Sequence, residues 1–328
     1  MDVLSDAITV MRTGRPHSGR TDKLAPWGVR YPPSPGAGFH IVLRGSCWMM
    51  PEGAPPIRLG VGDVVLLPSG QGYGIADSLE TELTEAVFTD LGLPPHQRYE
   101  PTAGSPGAEV TSLLCGAYRL NQARPHPLLA ALPDVVHLPA RVGRHPGLRS
   151  LVDLLGAELT EHRLGSDAAL PALLDTLLLY ILRAFFEETA CAATSGWAAA
   201  LGDPVVTTAL SEIHADPAHP WTVEELGARA GLSRAAFARR FTTLVGQPPL
   251  GYLTWWRMTT AGRLLRESDA PLRTIAHQAG YISEFAFAKA FKREYGLSPG
   301  RYRDQRRAGR HDGQQDARRS GSALAADG

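Results

Sequence analysis

Apolar positions change their period twice along the chain. Up to about residue 140 they come in short runs between Gly- and Pro-rich turns: FHIVLRGSCWMM from Phe39, IRLGVGDVVLLPSG from Ile57, LLCGAYRL from Leu113 and VVHLP from Val135. These runs predict short antiparallel strands that close into a small β-barrel or jelly roll. From 141 to 190 the period becomes helical. HPGLRSLVDLLGAELTEH places Leu148, Leu151, Leu155 and Leu159 on one stripe, and ALPALLDTLLLYILRAFFEE is apolar nearly all round. Such helices need a surface to pack on, either the barrel or a copy of themselves. Asp175 and Arg183 interrupt the second one, which therefore reads as a buried helix rather than a membrane span.

The last third repeats itself. At Gly231 the chain reads GLSRAAFARRF and at Gly280 GYISEFAFAKAF, each after a short helical stretch, TVEELGARA and PLRTIAHQA. With one extra residue in the second turn, Ser233 matches Ser283, Phe237 matches Phe287, Arg239 matches Lys289 and Phe241 matches Phe291. Helix, glycine turn, then a helix with a Ser N-cap is the spacing of a helix-turn-helix whose second helix can enter a DNA major groove. The phenylalanines, four apart, share a face and can pin that helix to the one before it. Arg239 and Lys289 then point elsewhere, beside small residues (Ala235, Ala236, Ala238; Ala286, Ala288) that permit close approach to base edges. One copy alone is equally compatible with a solvated helical hairpin; two in register weigh sharply against that reading.

Between the copies, PPLGYLTWWRMTTAGRLLRESD predicts one long helix that holds the motifs at a fixed distance. The whole chain has 33 Lys plus Arg and 33 Asp plus Glu, yet residues 205–310 carry 16 against 9, net +7, which leaves net −7 elsewhere. A basic module with an acidic remainder confines phosphate attraction to one part of the molecule.

Residues 205–303, with the linker helix and the closing GLSPGRYR, resemble the AraC/XylS transcriptional regulators. The resemblance implies that Ser233–Val245 and Ser283–Tyr295 are two recognition helices on one face of double-stranded DNA. It assigns DNA contact to Ser233, Arg234, Ala235, Ala238, Arg239 and Arg240 in the first, and to Ser283, Glu284, Phe285 and Lys289 in the second. Glu284 has two readings, accepting from cytosine N4 or repelling phosphate.

LGVGDVVLLPSG, with Gly62-Asp63 leading into an apolar strand that ends at Pro68, resembles the cupin fold, the usual sensor in this family. A metal cupin offers two His and an acidic residue near the first strand and another His after the proline turn. Here His40 stands alone, with Arg44 four residues on and Tyr73 at the position of the turn histidine. His126 and His137 would have to complete a set from other strands, so no metal or cofactor is expected and the alternative of a metal-dependent cupin enzyme is weak. His40, Arg44 and Tyr73 remain candidates for a small organic ligand. Strand alternation places Cys47 with Phe39, Ile41 and Met49, opposite His40 and Val42, unless Gly45 inserts a bulge. Cys47 and Cys115 read as buried small hydrophobes, or, by resemblance to a branch that responds to reactive chlorine, as redox sensors. Cys191 reads as incidental.

The fold class expected is multidomain α+β: a cupin-like sensor over 1–140, a helical dimerisation segment over 141–190, a linker over 191–204, an all-α tandem helix-turn-helix domain over 205–303, and a disordered tail over 304–328. The expected molecule is a cytoplasmic, non-enzymatic homodimer without a membrane segment. It binds promoter DNA, contacts RNA polymerase and answers to an oxidant or a small molecule.

Overall fold

The computed structural model describes residues 2–34, 36–86, 109–120, 125–161, 163–190 and 195–305. Contacts divide the chain into two units, Met11–Thr194 and Met1–Val10 with Ser195–Gly328.

The larger unit is the predicted barrel with its helices. Its strands are β1 (His17–Leu24), β2 (Gly28–Tyr31), β3 (Ala37–Arg44), β4 (Cys47–Pro51), β5 (Ile57–Leu59), β6 (Val64–Leu67), β7 (Tyr73–Ala76), β8 (Thr84–Glu85), β9 (Val110–Tyr118) and β10 (Val136–Leu138). They form two five-stranded sheets, ordered β1-β9-β3-β6-β10 and β5-β4-β7-β2-β8. The space between the sheets is filled by Trp27, Val42, Cys47, Met49, Leu59, Val65, Leu67, Tyr73, Ile75 and Leu113. Two of these correct the alternation expected for FHIVLRGSCWMM: Val42 and Cys47 face the same interior. The reason is that β3 and β4 belong to different sheets. The chain turns over at Gly45, where φ is +76° and a Cβ would lie 2.6 Å from the Val110 carbonyl oxygen, so side-chain parity is not carried across.

After the short α2 (Pro127–Ala130), two helices, α3 (Pro146–Glu161) and α4 (Ser166–Ala190), pack against each other; α3 touches β1 and α4 touches β1 and β10. Leu148, Leu151 and Leu155 of the predicted stripe are buried. The Tyr118 hydroxyl donates to the Leu174 carbonyl at 2.8 Å, and Arg12 pairs with Asp175. By length and composition alone, α4 is long and apolar enough to cross a bilayer, contrary to the expectation that its charges rule this out. Here it covers the barrel, partly buried.

The smaller unit starts earlier than predicted. Nine residues at the N-terminus, unassigned by the pattern, form α1 (Val3–Met11), and Met1–Val10 groups with the C-terminal helices rather than with the barrel. The predicted linker contains a helix, α5 (Gly196–Gly202), whose Trp197 is buried with its ring 6.0 Å from Tyr252. Asp203 then caps α6 (Pro204–Ala215) by accepting from the Val206 N–H at 3.0 Å. Cys191 and most of the predicted tail lie outside the described residues.

Candidate nucleic-acid interface and barrel core

The repeated motif folds twice in the same way. The first copy is α7 (Val223–Arg229) and α8 (Arg234–Val245); α9 (Pro249–Glu267) is the predicted linker helix; the second copy is α10 (Leu272–Gln278) and α11 (Glu284–Tyr295). Between the helices of each copy the chain passes through left-handed Gly231 (φ +73°) and Gly280 (φ +74°), where any Cβ would add strain. Ser233 Oγ accepts from the Ala236 N–H at 3.4 Å and Ser283 Oγ from the Ala286 N–H at 3.1 Å. Both serines therefore cap their own helices, satisfying orphan donors of the first turn.

Phe237, Phe241, Phe287 and Phe291 have no exposed surface. The paired rings sit 5.6 Å apart in each copy. In the second copy Phe287 and Phe291 pack with Met258, Ala261, Leu265, Ile275 and Tyr302, which ties α11 to the linker helix. In the first, Phe241 meets Tyr252 edge-on, and Tyr252 bonds His214 Nε2 at 2.7 Å. His214 stacks on Trp256 at 3.7 Å, and its Nδ1 lies 3.2 Å from Asp6 of α1. Burial lowers the His214 pKa, and Asp6 opposes that shift.

This packing turns Arg234, Ala235, Arg239, Glu284, Phe285 and Lys289 to the exterior, with Ala238 half-buried beside them. Arg240 is exposed as well, and it also holds an ion pair. Its guanidinium holds Asp203 through Nε at 2.7 Å and a second nitrogen at 2.6 Å. Burial would raise the Asp203 pKa, but Arg240 and the Val206 N–H hold it below the usual carboxylate range. Arg240 thus fastens α8 to the cap of α6. The sequence hid this because 37 positions separate the partners.

In the barrel, two of the three ligand-pocket candidates meet one redox candidate. His40 Nε2 lies 2.6 Å from the Tyr73 hydroxyl, and His40 Nδ1 lies 3.0 Å from Cys115 Sγ. The cross-strand register His40↔Cys115 explains the second contact. Tyr31 stacks on Tyr73 at 4.8 Å and meets His40 edge-on at 5.6 Å. Burial pushes His40 down to about 4 and lifts the Cys47 and Cys115 thiols to about 12; Asp63 adds to the Cys47 shift. At neutral pH the cluster is therefore uncharged, with both sulfurs as thiols.

Arg44 ends β3 exposed. The histidines named as possible metal partners are engaged elsewhere. His126 Nδ1 accepts from Leu128 N–H at 3.0 Å, and His137 Nε2 lies 3.2 Å from Asp63. Asp63 also accepts from the N–H groups of Ala140 and Gly60 and so pins the Gly62 turn.

Residues 2–187 match the cupin family model and residues 226–305 a helix-turn-helix domain model. An AraC-like transcription regulator of Streptomyces antibioticus is 36% identical over 304 residues, 92% of this chain and 98% of its own length. The chain belongs to the AraC-like transcription regulators. It is a DNA-binding transcription regulator with a cupin domain and a helical helix-turn-helix region. The RCS-specific HTH-type transcriptional activator RclR of Escherichia coli is 31% identical over 200 residues, 60% of this chain and 69% of that one. Among solved structures, the DNA-binding domain of AdpA in complex with a target DNA is 37% identical, covers 33% of this chain and 96% of that one, and has a TM-score of 0.31.

Proposed function

We propose that this AraC-like regulator places α8 and α11 in successive major-groove segments of its operator. Arg234, Ala235, Ala238 and Arg239 contact the first segment; Glu284, Phe285 and Lys289 contact the second. Ser233, Ser283 and Arg240 act one step back, holding the helices that carry those side chains. The observation behind this reading is that the packed phenylalanine pairs leave these faces exposed, with Arg239 and Lys289 free of ion pairs among the described residues. Arg and Lys at such positions reach guanine O6 and N7. Hydroxyl-radical footprinting of the full chain on DNA selected from a random pool tests this. The expected result is two protected stretches about one helical turn apart, with the loss of one in Arg239→Ala and of the other in Lys289→Ala.

The barrel, in this reading, senses rather than catalyses, and its signal acts on the His40–Cys115–Tyr73 chain. If the signal is an oxidant, Cys115 is the better target. It touches an imidazole nitrogen at 3.0 Å, whereas Cys47 lies fully buried in the cluster between the sheets. The name of RclR, RCS-specific, favours an oxidant signal. DNA binding compared before and after hypochlorite treatment, in wild type and in Cys115→Ser and Cys47→Ser, separates the two sulfurs. No change in wild type assigns the signal to a small ligand instead. The helices α3 and α4 serve as a homodimer surface, RNA polymerase is the partner at the promoter, and the protein works in the cytoplasm.

A further inference from the structure

The two recognition helices are built on one scaffold and differ at their tips. Offsetting the second copy by fifty positions superposes Ser233 on Ser283, Phe237 on Phe287 and Phe241 on Phe291, all of which do the same packing or capping in both copies. Ala238 and Ala288 coincide, as do Arg239 and Lys289. The divergence falls on the first turn. Arg234 is replaced by Glu284, which inverts the charge, and Ala235 by Phe285, which replaces a methyl with a phenyl ring. These are the first two positions after the cap, and the N-terminal residues of a recognition helix are those that meet base edges.

Phe285 is 81% exposed, and Ile282, just before the cap, is 95% exposed. Neither contributes to the cluster that holds α11, which Phe287 and Phe291 supply from the opposite face. An exposed apolar ring beside Lys289 suits a surface that is apolar and lies next to phosphate. The major groove offers one such group, the C5-methyl of thymine. A carboxylate at Glu284 differs from Arg234 in the same sense, because it can accept from the amino group of cytosine or adenine but not pair with the N7 and O6 acceptors of guanine.

We infer that the helices read different base chemistry at their tips: α8 presents arginine to guanine acceptors, and α11 presents Glu284 to a base amino group and Phe285 to a thymine methyl. The operator is then asymmetric, guanine-bearing under α8 and thymine-bearing under α11, which fixes the direction in which the tandem domain lies on DNA. This inference rests on the groove placement proposed above.

The test uses the full chain and its selected operator. Each thymine in the half protected by α11 is replaced in turn by deoxyuridine, which lacks only the methyl, and affinity is titrated for wild type, Phe285→Ala, Phe285→Leu and Lys289→Ala. Wild type should lose about fourfold at one thymine, the value expected for removing one buried methyl. Phe285→Ala should bind thymine and deoxyuridine DNA equally, while Phe285→Leu keeps part of the discrimination. Because the ring is exposed, thermal melts of these variants should coincide with wild type. Equal wild-type affinity for thymine and deoxyuridine at every position, or undiminished discrimination in Phe285→Ala, overturns the inference. In that case the exposed ring serves a protein partner. Lys289→Ala separates the two levels. If it weakens binding while methyl dependence is absent, only the thymine assignment falls; if it has no effect, the groove placement falls and the assignment with it.

Discussion

Acid should loosen the barrel through a single histidine. His40 is 2% exposed and lies between Cys115 Sγ and the Tyr73 hydroxyl, with no carboxylate among the described residues in contact to stabilise an imidazolium. Burial takes its pKa from 6.5 to about 4 in the folded protein. Above pH 6.5 both folded and unfolded states hold the ring neutral and the group has no effect on stability. As pH falls below 6.5 the unfolded chain takes up a proton that the folded barrel refuses, so stability declines until the folded ring titrates near 4. At about 1.4 kcal/mol per unit, the loss accumulates to roughly 3 kcal/mol across that window. The assay is urea unfolding of the barrel at half-unit pH steps from 7.5 to 4, for wild type and His40→Gln, with the His40 resonance titrated in parallel by NMR. Wild type should lose stability more steeply than the variant between pH 6.5 and 4.5, carboxylates being common to both. Identical slopes, or a His40 resonance that titrates near 6.5, would refute the reasoning.

Three further perturbations test the packing. Phe287→Ala should cost about 3 to 5 kcal/mol in chemical denaturation of the C-terminal unit, while Phe285→Ala, two residues away, stays within about 0.5 kcal/mol. Asp203→Ala removes both the cap of α6 and the partner of Arg240. It should destabilise by roughly 1 to 2 kcal/mol, most of it the cap because Arg240 is half-exposed. In a Cys191→Ser background, Cys47 and Cys115 should resist a bulky thiol reagent at pH 8 until denaturant is added, since both thiols titrate near 12. Fast native labelling of Cys47 at pH 8 would contradict its burial.

The tandem motif was readable in the sequence because its requirements are local and occur twice. Ser caps, left-handed glycines and phenylalanines four apart each act within one turn of helix, and the helix boundaries fell where those residues put them. Barrel strands with an apolar interior face, such as Val64–Leu67 and Val110–Tyr118, announced themselves in the same way. β1, reading HSGRTDKL, did not, because it is an edge strand with one buried residue and its order comes from pairing with β9. What the pattern missed depends on contacts distant in sequence. α1 owes its place to residues such as His214, the Arg240–Asp203 pair joins residues far apart in sequence, and Cys47 shares the Val42 face because the chain changes sheets at Gly45, where the sequence leaves room for a bulge. In the sequence His40 and Tyr73 stand apart, each a pocket candidate by itself. Only the sheet pairing brought Cys115 to them.

The most direct test of the account is an affinity titration of the full chain on its selected operator, with Arg239→Ala and Lys289→Ala alongside wild type. Loss of roughly 1 to 3 kcal/mol in each variant, with nonspecific binding little changed, is the result expected if both side chains read bases. Wild-type affinity in both would mean that α8 and α11 do not enter the groove in the register described.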